Sequence, residues 1–131
     1  MNLVKLAQLV GGYGKPVQGC ELSTEEAISL VQIRYPQLSF CLVKGWTVLD
    51  LETTDTELEA LHSRNLEPVV IYALHVVFDS RGRFKTGDWV RSSFQMSLED
   101  SGFFRTKNSV YVLLGSGTRQ HITASDLLAL Q

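Results

Sequence analysis

Ten consecutive residues, Val69–Phe78 (VVIYALHVVF), place the strongest constraint on how this chain can fold. The run is rich in β-branched and aromatic side chains and follows Pro68. At this length, that composition fits a strand buried in a sheet better than a helix. A strand of this kind must be covered by the rest of the chain. The 131 residues suffice for one domain with one core, and 44% hydrophobic content supplies the material for it. A charged fraction of 20% is too low for a disordered or solvating chain.

The flanking segments alternate between helical and strand periods. Leu3, Leu6, Ala7 and Val10 recur at helical spacing until Gly11-Gly12, predicting a short N-terminal helix. The glycine-rich run from Gly11 to Gly19 then predicts a loop. It is not a phosphate-binding loop, because Pro16 follows Gly14-Lys15 and no strand precedes it. Ser23 with Glu26 forms a capping box that opens a helix over residues 24–35, ended by Pro36. Thr54 with Glu57 opens a second helix, with Asn65 as its stop, and Thr123 with Asp126 opens a C-terminal one.

Between these helices, LSFCLVKGWTVLDLE alternates apolar and polar residues around Lys44-Gly45 and predicts a β-hairpin or two closely joined strands that bring Trp46, Val48 and Leu49 into the sheet. DSRGR provides a turn after the apolar run, and short strands follow at DWVRSSFQMSL, GFFRTK, SVYVLLG and GTRQHI. The prediction is an α+β fold. Its curved, mainly antiparallel sheet has about five to seven short strands, with N-terminal, middle and C-terminal helices packed on one side.

Charge narrows the function classes. The formal net charge of −2 argues against a strongly basic nucleic-acid binder and against an acidic mimic of DNA. It conceals an asymmetry, with five basic against eight acidic residues in 1–65 and seven basic against three acidic in 81–119. Cys20 and Cys41 are too few for a disulfide framework and lack metal-ligand spacing. Cys41, in SFCLV, is expected to be buried, whereas Cys20 is expected in an accessible loop. No metal or cofactor is expected. No stretch reaches the length of a membrane-spanning helix, and the N-terminus lacks a signal-peptide pattern, so a cytoplasmic protein without membrane contact is expected.

The basic region holds the candidate binding residues. If RGRFKTGDWVRSS is a hairpin, Arg81, Arg83 and Lys85 share one strand face, while Phe84 turns to the core. Trp89 and Arg91 share parity, making Trp89 a partly exposed platform beside a guanidinium, and Asp88 is placed to pair with one of the arginines. Arg105, Lys107 and Arg119 extend the same positive region. Catalytic signals are thin. His62 lies on a helix and His75 inside the apolar run; His121, near Arg119, is the one general acid/base candidate. No nucleophile elbow, paired-carboxylate site or histidine metal spacing is present.

GWTVLDL, VVFDSRGRF, GDWVRSS and NSVYVLLGSG, in this order, resemble an uncharacterised family of small bacterial proteins found mainly in pseudomonads. The resemblance spans roughly residues 20–120 and implies a domain of unknown function without assigned catalytic residues. It also implies a setting among prophages and integrative elements, where short proteins bind and modulate host proteins, including defence machinery. The expectation is a non-catalytic interaction module with a protein partner. Nucleic-acid binding by the basic face is one alternative, and a small ribonuclease or transferase using His121 with Arg105 and Arg119 is another. A homodimer is compatible with the same aromatic surface.

Overall fold

The computed structural model describes residues 14–129. The helix expected over residues 3–10 lies outside them. Eight strands and three helices are present among the described residues: β1 (Lys15–Gln18), α1 (Thr24–Arg34), β2 (Ser39–Leu51), α2 (Asp55–His62), β3 (Val69–Asp79), β4 (Val90–Arg91), β5 (Ser97–Leu98), β6 (Phe103–Arg105), β7 (Ser109–Leu113), β8 (Ser116–Ile122) and α3 (Ala124–Ala129). The helices start where their side chains can satisfy the first free backbone N–H groups. Ser23 Oγ accepts from the Glu26 N–H at 3.2 Å, and Glu26 Oε1 accepts from the Ser23 N–H at 3.0 Å. Thr54 and Glu57 repeat the exchange at 3.2 and 2.8 Å. Asn65, the expected stop, adopts a left-handed φ of 59° just beyond α2.

The Val69–Phe78 run is strand, and β3 pairs antiparallel with β2 along nearly its whole length. Two expectations about β2 need correction. Residues 39–51 form one strand of 13 residues, not a hairpin or two joined strands about Lys44-Gly45. The sheet is mixed and not mainly antiparallel, because the other edge of β2 runs parallel to β7 over Ser39–Val43 and parallel to β8 over Thr47–Leu51. A parallel pair needs a long crossover, and here everything from α2 to β6 supplies it. The glycine-rich segment is corrected too: Lys15–Gln18 add to the edge of β8 as β1, a pairing between residues about 100 apart that no local signal announces.

The sheet curls because one segment serves both of its edges. Val90–Arg91 pair with β3, Gln95 bridges to Glu67, and Ser97–Leu98 then pair with β6. The strands also bend. Gly45 (φ 62°) lies on β2, and Gly115 (φ 71°) separates β7 from β8. Val43 and Trp46, three residues apart, consequently join the same cluster, as do Ala73 and Val76 on β3. This inner cluster contains Trp46, Ile71, Phe104 and Leu113. The Trp46 indole N–H donates to the Leu114 carbonyl at 3.0 Å. Its ring lies so close to Gly19 and Gly117 that a Cβ there would come within 2.7 and 2.4 Å of it.

The other face of the sheet carries two further clusters. Ala27 and Val31 of α1 pack on Phe40, Leu42 and Val112, and Leu127 of α3 packs on Leu49, Tyr72 and Ile122. Complete burial of such aliphatic side chains stabilises the fold by about 2–3 kcal/mol each. No helix among the described residues is long and apolar enough to cross a membrane.

Candidate functional site

Loop 80–89, between β3 and β4, carries most of the predicted site, and its backbone is pinned to β3. The Gly87 N–H donates to the Val76 carbonyl, and the Val76 N–H donates to the Asp88 carbonyl, both at 2.8 Å. Gly82 (φ 63°) and Gly87 (φ 95°) take left-handed turns that side chains disfavour. The hairpin is therefore wide, and Arg81, Arg83 and Lys85 stand in its loop rather than on a strand. The parity argument that placed them on one face does not apply.

Arg83 turns back into the protein. Its Nη2 and Nε donate to the two Asp79 carboxylate oxygens at 2.8 and 3.2 Å, and its Nη1 donates to Ser109 Oγ at 3.1 Å. The Arg83 backbone N–H also donates to Asp79, at 2.7 Å. The Asp79 side chain is 0% exposed. Burial pushes its carboxyl up, but the hydrogen bonds and charge of Arg83 outweigh that and hold it below the ordinary range. Arg83 is thus structural. The Asp88 carboxylate accepts from the Lys85 backbone N–H at 2.9 Å and closes a turn.

Two more of the predicted cations are engaged elsewhere. Arg119 makes a two-pronged ion pair with Asp50, both bonds at 2.7 Å. The Arg105 guanidinium lies 5.6 Å from the centre of the Tyr35 ring. Lys107 is exposed in the turn between β6 and β7. The hollow beside Trp89 is lined by Phe84, Val90 and Arg91 together with Trp89 itself. His121 is exposed on β8, in register with Asp50 of β2, while its intended helpers are committed to Asp50 and Tyr35.

The structure does bring together an aromatic ledge. Trp89 is 50% exposed, as expected, and stacks on buried Tyr72 with centroids 5.6 Å apart and an angle of 28°. Phe84, Trp89, Val90 and Arg91 line an open hollow of about 520 Å³. Phe84 packs partly against the inner cluster, with the Arg83 guanidinium over its ring at 5.3 Å. Arg81 and Lys85 are exposed on the same loop.

A second cavity, of about 360 Å³, opens at one end of the curled sheet. Trp46, Val48 and Leu113 give it apolar walls, and Gln95 and Arg119 are among its polar lining residues. The sequence reading missed it. Gln95 sits between Phe94 and Met96 like any strand residue, and nothing local marks the position as facing a cavity. Asp79 was expected to accept from nearby backbone N–H groups of the turn, and it does so from Arg83, but its ion pair with the Arg83 side chain was missed, although an acid ending an apolar run four residues before an arginine is a readable signal. Cys20 is buried rather than accessible, because its backbone bridges to Leu114 and its side chain joins the cluster beneath α1. Among the described residues, no three histidine, cysteine or acidic side chains cluster as metal ligands would.

Residues 18–129 match a family described as Domain of unknown function (DUF6957). No curated protein and no solved structure matches the chain.

Proposed function

We propose that this chain, which belongs to that family of unknown function, is a non-catalytic interaction module that grips a protein partner at the Trp89 ledge. The observation that carries the reading is a tryptophan left half exposed yet fixed by stacking on Tyr72. A rigid, partly desolvated aromatic next to an arginine is the commonest kind of interface anchor, since it buries a large area while losing little conformational entropy. The hollow between Phe84 and Trp89 fits an apolar side chain, and exposed Arg81 and Lys85 favour carboxylates around it. A host protein presenting such an acid-ringed apolar knob agrees with the mobile-element setting that the sequence resemblance implies. Nucleic-acid binding is less favoured, since Arg83, Arg105 and Arg119 have partners within the fold.

The test is affinity capture from lysate with wild-type, Trp89→Ala and Arg81→Glu/Lys85→Glu chains, with and without nuclease, after each is shown to be folded. The expected result is a protein recovered by the wild type despite nuclease, lost with Trp89→Ala and weakened with the double variant. That protein, once purified, should bind the wild type directly. Identical recovery by wild type and Trp89→Ala refutes the reading, and loss of all partners on nuclease treatment replaces it with nucleic-acid binding.

A further inference from the structure

The helix α2 leaves its apolar face incomplete. None of its eight residues is buried, and Leu58 and Leu61 are covered only in part. A helix this short draws most of its stability from packing an apolar face against neighbours, so an unfinished face invites an occupant. The space beside it is an open groove of about 280 Å³, between α2, the end of β2 and the start of α3. Leu51, Leu61 and Phe94 wall the groove, and Ala60 and Ala124 bring only methyl groups to it. All five keep accessible surface. Leu51 and Phe94 rest on the buried cluster around Leu49 and Tyr72, which supports the inner wall.

Charge selects what enters. Glu52 and Glu57, both exposed, border the groove. Glu57 Oε1 accepts from the Thr54 N–H at 2.8 Å, which holds that carboxylate at the first turn of α2. Asp55 and Glu59 add to the local field, and no lysine or arginine lies between Lys44 and Arg64. Asp50, Glu67, Asp79 and Glu99 each have a basic partner within the fold, whereas none of these four carboxylates makes an ion pair among the described residues. The surface therefore repels anions and favours an apolar anchor with cations beside it. Its volume lies below that of most small-molecule sites and suits one or two side chains, and an apolar groove beside a helix is a common seat for a peptide segment.

We propose that the groove between α2 and α3 docks a basic segment of a partner protein, in which an aliphatic or phenylalanine anchor enters the groove and flanking lysines or arginines pair with Glu52 and Glu57. The site does not rest on the Trp89 reading, whose ledge, flanked by Arg81 and Lys85, favours the opposite charge.

The test is amide-resolved NMR titration of the full chain with three synthetic peptides: acetyl-KRLLRK-amide, acetyl-KRSSRK-amide, which keeps the charge and lacks the anchor, and acetyl-EELLEE-amide, which keeps the anchor and reverses the charge. The first should shift the Ala60, Leu61 and Ala124 signals saturably, with a Kd of about 1 mM or tighter. The other two should bind roughly tenfold more weakly. Raising the ionic strength from about 0.01 M to about 0.15 M should weaken the first peptide several-fold. Glu52→Gln/Glu57→Gln should weaken it by a similar factor while keeping the α2 cap, because glutamine also completes a capping box. Ala60→Gln, which fills the groove without changing charge, should weaken it as well. Absence of saturable shifts at these amides, or equal binding of the first peptide and either control to the wild type, would overturn the proposal without any variant. Shifts at the same amides that grow with protein concentration in the absence of peptide would also overturn it and assign the groove to a second copy of the chain.

Discussion

Replacing Arg83 with methionine should destabilise the protein by an amount that depends on pH in a specific direction. The substitution leaves the Asp79 carboxylate, 0% exposed, without its guanidinium. Breaking a fully buried pair costs about 3–5 kcal/mol, whereas exposed pairs contribute about 0–1 kcal/mol. The Arg83 side chain is 35% exposed, which places the expected loss between these limits, at about 2–3 kcal/mol near neutral pH. For a chain of this length that is a fall in Tm of about 10 °C.

The sign of the pH effect follows from Asp79. In the wild type its pKa is lowered from 3.8, so the pair stabilises fully above that value and the contribution is lost as pH falls through the native pKa. In Arg83→Met, burial is opposed only by the backbone N–H groups of residues 83 and 84, so the carboxyl pKa rises above its wild-type value. The variant therefore gains stability as that carboxyl protonates. The gap between the two proteins should be widest near pH 7 and should narrow as pH falls, closing only once pH drops through the lowered native pKa of Asp79 and leaving the smaller loss of the Ser109 contact. Urea unfolding of both chains across this range measures the gap, and carboxylates common to both cancel. Asp79→Asn combined with Arg83→Met should recover most of the loss, for a coupling of about 2 kcal/mol. A neutral-pH loss below about 1 kcal/mol, or a gap that stays constant with pH, refutes the argument.

Three further outcomes follow from the packing. Gly117→Ala should cost about 2–3 kcal/mol in urea unfolding, because the new Cβ meets Trp46 at 2.4 Å; Gly82→Ala, with φ 63° but open space around it, should cost only about 1 kcal/mol. The reverse order would mean that Trp46 yields easily. Burial, assisted by the Asp79 charge, pushes the Cys41 thiol up to about 12, so Cys41 should resist a thiol-specific reagent at pH 8 until urea unfolds the chain. Rapid labelling of folded protein at Cys41 would contradict this. Ser23→Ala removes the cap of α1 and should lower stability by about 1 kcal/mol, read by thermal unfolding; an unchanged Tm would mean that α1 is held by packing on Phe40 and Val112 alone.

The elements legible in the sequence are those whose cause is local. Capping pairs lie three residues apart, so Ser23–Glu26 and Thr54–Glu57 announced α1 and α2, and the apolar run 69–78 announced β3. Shared strand parity with Arg91 pointed to Trp89 as a partly exposed platform, and its ring is half exposed beside buried Val90. What remained depends on partners distant in sequence. Whether β2 turns back at Gly45 or runs through it is decided by β7 and β8, about 70 residues later, which offer a parallel edge along both its halves. Seven basic residues in 81–119 gave a charge but not its location. Asp79 and Asp50 lie on adjoining strands beside Arg83 and Arg119, and a carboxylate withdrawn from water holds the nearest guanidinium more strongly than solvent does. Gln95 is an ordinary polar residue until the curl of the sheet encloses it beside Trp46. The sequence by itself determined the local pieces; tertiary structure alone decided which charges are spent and where a cavity opens, because desolvation is a property of the assembled fold.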